Sequence, residues 1–235
     1  MTPADQPTFT DRSFRFLAEL EENNDAPWFN ANKTRYTESL RDPFAHLLET
    51  LTERLSQSEQ PLAGSARTMF RMNRDVRFSA DKRPYKTAVS GLLTPSGTKD
   101  EDAGLVYLHL DVDGGFVAGG LHHPTPQQLA PARDHILARP QEFTDLVGRL
   151  HEAGLSLDDE DSLKAMPRGY STASDHPLAW ALRLKSWIVV QPLPKVAWTS
   201  GDVVDRVEDF VRGIDPLLRF VRATLGSTPA ATNRR

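Results

Sequence analysis

The sequence predicts an α+β protein, with a mainly antiparallel sheet of about five strands flanked by N-terminal and C-terminal helices. Three observations lead there. Apolar residues recur at helical spacing up to about residue 55, alternate between 70 and 121, and return to helical spacing after 124. The strand-like segments follow one another through short connections, which favours antiparallel neighbours. Ser, Thr and Asp stand where helices should begin, several with a proline just after.

Taken in order, Thr10 or Asp11 caps a first helix to about Asn23, carrying Phe14, Phe16, Leu17 and Leu20. Asn23-Asn24-Asp25 breaks it. Pro27 opens a second helix with Trp28, Phe29, Tyr36 and Leu40. Asp42-Pro43 then predicts a new cap and a third helix to about Leu55. After the loop SQSEQPLAGS, Phe70, Met72, Val76 and Phe78 alternate with Arg71, Asn73, Asp75 and Arg77, the spacing of a strand. Further strands are expected at 85–93, 105–112 and 116–121, the last two joined across Asp113-Gly114-Gly115, a hairpin signal. Thr125 caps a helix over 126–138, and another follows over 141–151. A short helix over 178–184 leads into a fifth strand at 187–190, and the last helices cover 203–210 and 216–225. The expected organisation is a flexible start over 1–10, one domain over 11–225 and a disordered tail over 226–235.

The chain has 235 residues, no cysteine and a net charge of −4. Disulfides, thiolate metal ligands and a cysteine nucleophile are thereby excluded. No stretch approaches the roughly 18 apolar residues of a membrane span, and MTPADQPTFTDRSF has neither a basic start nor an apolar run. A cytoplasmic setting without membrane contact is the expectation.

Charge is unevenly spread. Residues 71–86 hold six positive side chains, Arg71, Arg74, Arg77, Lys82, Arg83 and Lys86, against Asp75 and Asp81. That is a net +4 within a chain of −4, so the remainder carries −8. On a strand, Arg71, Asn73, Asp75 and Arg77 share one face, and Arg74 falls among apolar neighbours, where it needs a partner. Two readings follow. The cations pair with carboxylates of the fold, or they converge on a small anion that guanidinium forks bind bidentately. In the second reading Arg71, Arg74, Arg77, Lys82 and Lys86 hold the ligand, joined by Lys185, which precedes the fifth strand.

His109 shares the polar face of its strand with Tyr107 and Asp111, opposite Val106, Leu108, Leu110 and Val112. It is the candidate general acid or base, with Asp75 the alternative; a structural, hydrogen-bonded histidine is the plainer reading. Gly119-Gly120 suggests close approach by backbone or ligand. The run into His122-His123-Pro124 lacks the lysine and glycine spacing of a nucleotide fingerprint. His109, His122 and His123 offer no H-x-x-x-H pair, so no metal is assigned. Asp175-His176-Pro177 reads as a helix cap, and the absence of G-x-S-x-G argues against a serine hydrolase of that type.

Several of these residues form a recognisable pattern. Asn23-Asn24 is followed by Trp28, Phe29, Lys33 and Tyr36. Arg71, Arg74, Asp75, Arg77, Phe78, Ser79, Asp81, Lys82, Pro84, Tyr85 and Lys86 come next. Then come Tyr107 and His109, Gly119, Gly120 and Pro124, Asp175-His176-Pro177, and Leu184-Lys185-Ser186. Over about residues 11–225 the chain resembles the domain-of-unknown-function 2461 family of bacterial and fungal proteins. His122 departs from the pattern, where an aromatic residue is expected. The resemblance implies a class and leaves activity and cofactor unknown.

The function expected from the sequence is binding of a small anionic or phosphorylated ligand through the basic hairpin, with its transformation left open. The alternatives are a non-enzymatic module for nucleic acid or an acidic protein partner, and a purely structural ion-pair network. Nucleic acid demands a broad positive surface, which the −8 outside the cluster disfavours. The oligomeric state is left open.

Overall fold

The computed structural model describes residues 9–100 and 104–225. The expected α+β class is present: helices stand at both ends of the chain around one antiparallel sheet, whose order is β1-β2-β3-β4. Its strands are β1 (Val89–Leu93), β2 (Leu105–Asp111), β3 (Gly114–Leu121) and β4 (Trp187–Pro192). β1 pairs antiparallel with β2 in a register that sets Ser90 opposite His109 and Leu92 opposite Tyr107. Among the described residues no helix is long and apolar enough to cross a membrane.

The chain forms two compact units. Of the described residues, one draws on 9–100, 106–118 and 191–211, the other on 104–105, 119–190 and 212–225. The first begins with α1 (Asp11–Glu22). Arg12 N–H donates to the Thr10 hydroxyl, and Thr10 N–H donates to Ser13 Oγ, so two of the orphan groups at the helix start are satisfied. Phe14, Phe16, Leu17 and Leu20 are buried along one face. α2 (Ala26–Ala31) starts at Asp25, whose carboxylate accepts from Trp28 N–H at 2.8 Å.

The helix after it corrects one expectation. Asp42-Pro43 does not cap a new helix. α3 (Lys33–Tyr36), a π turn (Thr37–Arg41) and α4 (Asp42–Leu55) follow one another directly, and Asp42 is itself helical. A proline inside a helix has no N–H, and its ring collides with the carbonyl four residues back. The π turn widens the coil just ahead of Pro43, with Asp42 N–H donating to Thr37 O, five residues back. α4 buries Phe44, Leu47, Leu48 and Leu51, and Arg54 reaches Asp205 and Glu208 at 2.9 Å each. α8 (Lys195–Ser200) places Trp198 edge-on to Phe9. α9 (Val203–Gly213) buries Val203, Val204, Val207 and Phe210.

The second correction concerns the basic stretch. It is no regular strand: among the described residues it makes only the isolated pairings Met69 with Gly91 and Asn73 with Tyr85. Its flanks are nonetheless bonded, with Phe70 N–H to Ser90 O, Lys86 N–H to Met72 O and Arg74 N–H to Pro84 O. Beyond Arg74 the ladder stops, because Asp75 and Asp81 each accept from the backbone N–H two residues on, at Arg77 and Arg83. Such local turns compete with strand pairing. The expected apolar face is not buried as a unit either: Met72 is, whereas Phe78 is 96% exposed.

In the second unit, α5 (Pro126–Ala138) is capped by Thr125, as expected, here in a box with Gln128, and α6 (Pro140–Glu152) follows. α7 (Ala179–Arg183) and α10 (Asp215–Leu225) complete it. Phe143 and Trp187 form part of its core, and half-buried Phe220 packs edge-on to both. Buried Arg133 donates to the carbonyls of Leu182 and Leu184. A Cβ at Gly120 would lie 2.1 Å from Trp187 O, so that glycine serves backbone approach. Of the expected flexible start, Phe9 and Thr10 are described, and Phe9 is buried. The remainder of that start and the tail over 226–235 lie outside the described residues.

Candidate functional site

The first unit positions its functional side chains through one clamp. Asn24, in the turn between α1 and α2, donates through its amide to Tyr85 O at 3.1 Å and accepts from Tyr85 N–H at 3.0 Å. A side-chain amide thus pairs with a backbone residue as a neighbouring strand would. The Tyr85 ring stacks on Phe29 of α2 at 4.1 Å, and Phe29 in turn packs against Tyr36. The two sequence blocks around Asn23 and Arg71 meet through these contacts.

Where they meet there is a cleft of about 630 Å³. Phe29, Tyr36, Phe70 and Tyr85 contribute to its walls. Four cations line it, Lys33, Arg41, Arg71 and Lys99, with no carboxylate among the described lining residues. Lys99 Nζ donates to Met69 O, and Arg41 touches Asp42 at 3.2 Å. Lys33 and Arg71 have no hydrogen-bond or ion-pair partner among the described residues. Lys86 lies beside this group. Its ammonium sits 5.2 Å over the Phe70 ring without an acceptor among the described residues, and Lys99 lies 5.9 Å over the same ring. Burial, and then the charge of Arg71, pull the Lys86 ammonium below its ordinary range.

The other residues expected at the site lie elsewhere or are already engaged. Arg74 donates to Asp81 at 2.6 Å and to Arg83 O. Arg77 grips Asp75 through two guanidinium nitrogens, and Arg83 grips Asp81 the same way. The Arg83 side chain first, then its backbone N–H, then Arg74, hold the Asp81 carboxyl far below the usual carboxylate range. The Arg77 side chain does the same for Asp75 more mildly. Lys82 donates to Val76 O. Lys185 belongs to the second unit, where it pairs with Asp161. Of the six cations expected to hold a ligand, Arg71 and Lys86 remain without an internal acceptor.

His109 sits on the half-exposed face of β2, stacked on Phe116 at 4.8 Å. Its Nδ1 lies 3.0 Å from Tyr107 Oη, and its Nε2 lies 3.5 Å from Asp111 Oδ2. Burial pulls His109 below its ordinary pKa, Asp111 opposes that, and Lys86 adds to it. Asp75 does not share this cluster; it is spent on Arg77. In the second unit the His122 and His123 rings touch edge-on at 4.1 Å, and no group of three or more His, Asp or Glu suited to a metal occurs among the described residues.

Lys33, Arg41 and Lys99 were not assigned to the site from the sequence. One signal was available: Lys33, Thr37 and Arg41 are four apart, the spacing of a helix stripe. Nothing local to Lys99 points to the cleft.

An α+β fold with a basic cleft clamped between N-terminal helices and an irregular arm defines the class of this protein. The model of the conserved hypothetical protein family DUF2461 matches residues 12–220, and the chain belongs to that family. No curated protein matches it.

Proposed function

We propose that this protein binds a small anionic ligand, of the phosphate or carboxylate kind, in the cleft of the first unit. Lys33, Arg41, Arg71 and Lys99 supply the charge, with Lys86 at its margin. The observation that carries this reading is the collection of four cations without a described carboxylate in one concavity of a chain whose net charge is −4. Such an arrangement raises the local anion concentration and leaves donors free for oxygen atoms. Of the set expected from the sequence the reading keeps Arg71 and Lys86, and it adds Lys33, Arg41 and Lys99. Arg74, Arg77 and Arg83 are each ion-paired inside the arm, Arg74 and Arg83 sharing Asp81, so nothing is asked of them beyond building it.

The test is thermal unfolding in the presence of inorganic phosphate, inorganic pyrophosphate and AMP. A bound anion raises Tm with its concentration. The shift is expected for wild type and lost in Lys33→Ala and Arg71→Ala. No shift with any of the three, or an equal shift in both variants, overturns the reading.

A further inference from the structure

The polar face of β2 holds a line of three side chains, its first pair hydrogen-bonded, that the anion site does not use. Tyr107, His109 and Asp111 occupy alternate positions, and their side chains touch in that order, Oη to Nδ1 at 3.0 Å and Nε2 to Oδ2 at 3.5 Å. The partners favour one direction for the line. The Asp111 carboxylate, 3.5 Å from Nε2 without hydrogen-bond geometry, favours the imidazole hydrogen on that side. Nδ1 is then a bare acceptor, and the Tyr107 hydroxyl donates to it. The Phe116 ring, stacked at 16° to the imidazole, holds the plane in that orientation.

We infer that Tyr107 is a base-activated phenol, with His109 as its proton acceptor and Asp111 as the residue that positions the imidazole. When the phenol oxygen takes a proton from a ligand hydroxyl, its own proton passes to His109 Nδ1, and the resulting imidazolium faces Asp111. No oxidant, metal or further reactant is needed: the line gains one proton, the ligand oxygen is left as an alkoxide, and charge is conserved over the line and the ligand together. The same logic orders a nucleophile, a histidine and an acid in other active sites. Tyr107 packs against Phe70, 6.1 Å between ring centroids, and Phe70 lines the anion cleft. The expected substrate class is therefore a small hydroxylated anion such as a sugar phosphate or hydroxy acid, and this assignment of class rests on the anion reading. The activation of Tyr107 does not.

The protein carries its own controls. Tyr36 and Tyr85 are buried. Tyr170 donates to the Asp134 carboxylate at 2.8 Å, and burial together with that bond pushes its phenol up to about 12. Four tyrosines in all thus sit in distinct surroundings, and only Tyr107 is paired with an imidazole among them.

An aryl sulfonyl fluoride tests the inference on the intact protein. The phenol oxygen forms an O–S bond, fluoride leaves, and the phenol proton goes to His109. Peptide mapping is expected to find Tyr107 modified about a hundredfold or more faster than Tyr170, within the range a positioned base supplies. His109→Gln, checked for folding by circular dichroism, should remove that advantage. Asp111→Asn should reduce it and displace its pH profile, which a merely structural contact would not do. Equal modification of Tyr107 and Tyr170, or full reactivity in folded His109→Gln, overturns the inference. If His109→Gln fails to fold, the pH profile in Asp111→Asn decides, and an unchanged profile counts against the relay. Protection of Tyr107 by inorganic pyrophosphate supports the substrate class. Unprotected but rapid modification removes that class and leaves the relay standing.

Discussion

The tip and the root of the basic arm share one sequence pattern and have opposite electrostatics. At the tip, Asp75 and Asp81 sit two residues before Arg77 and Arg83, and each carboxylate closes on its arginine and on that residue's backbone N–H. Arg74 joins Asp81 as well. At the root, Arg71 and Lys86 have no hydrogen-bonded or ion-paired acid among the described residues, Arg71 acting on Asp75 only at a distance, and the cleft beside them adds Lys33, Arg41 and Lys99. Position along the arm, and not the count of positive residues, separates charge that builds structure from charge that is left for a ligand.

The largest effect on stability is expected at the clamp that creates the cleft. Asn24→Ala leaves the Tyr85 N–H and carbonyl without their partners, each costing about 1–3 kcal/mol where water cannot replace it. Urea unfolding should show a loss of about 2–3 kcal/mol. Loss within experimental error would mean that the arm holds itself to the helices without Asn24.

A smaller effect, with a distinctive pH dependence, is expected at the tip. Asp81 is held below its ordinary pKa in the fold, so it contributes stability above the unfolded carboxylate pKa and loses it as pH falls through the folded value. Asp81→Asn should lower Tm at neutral pH, by less than Asn24→Ala does, and the gap between variant and wild type should narrow steadily below about pH 4. A gap that is constant with pH would show that the carboxylate acts through shape alone.

The smallest effect belongs to Phe78. At 96% exposure it buries nothing, and Phe78→Ser should change unfolding free energy by no more than about 0.5 kcal/mol. A larger loss would mean that the tip packs against the body of its unit.

These differences mark where sequence was a sufficient guide. Val106, Leu108 and Leu110 alternate with Tyr107, His109 and Asp111, and that pattern alone places β2 and its polar face. Thr125 caps α5 as read. The arm reads as a strand because Phe70, Met72, Val76 and Phe78 keep the right period, yet Asp75 and Asp81 divert the backbone into local turns. Asp42-Pro43 failed as a helix start for a similar reason, since a π turn accommodates a proline that the local pattern treats as a beginning. The cleft was only half legible. Arg71 and Lys86 stand out by charge, but their distinction from Arg74 and Arg77 depends on which acid each can reach. Lys33 and Lys99 enter through contacts between segments far apart in the chain.

Calorimetric titration of inorganic pyrophosphate at low salt measures that distinction directly. The account predicts one site, weakened about tenfold or more in Arg71→Ala, a loss of about 1.4 kcal/mol or more, and unchanged in Arg77→Ala. Absence of binding to wild type, or equal weakening by both substitutions, would contradict it.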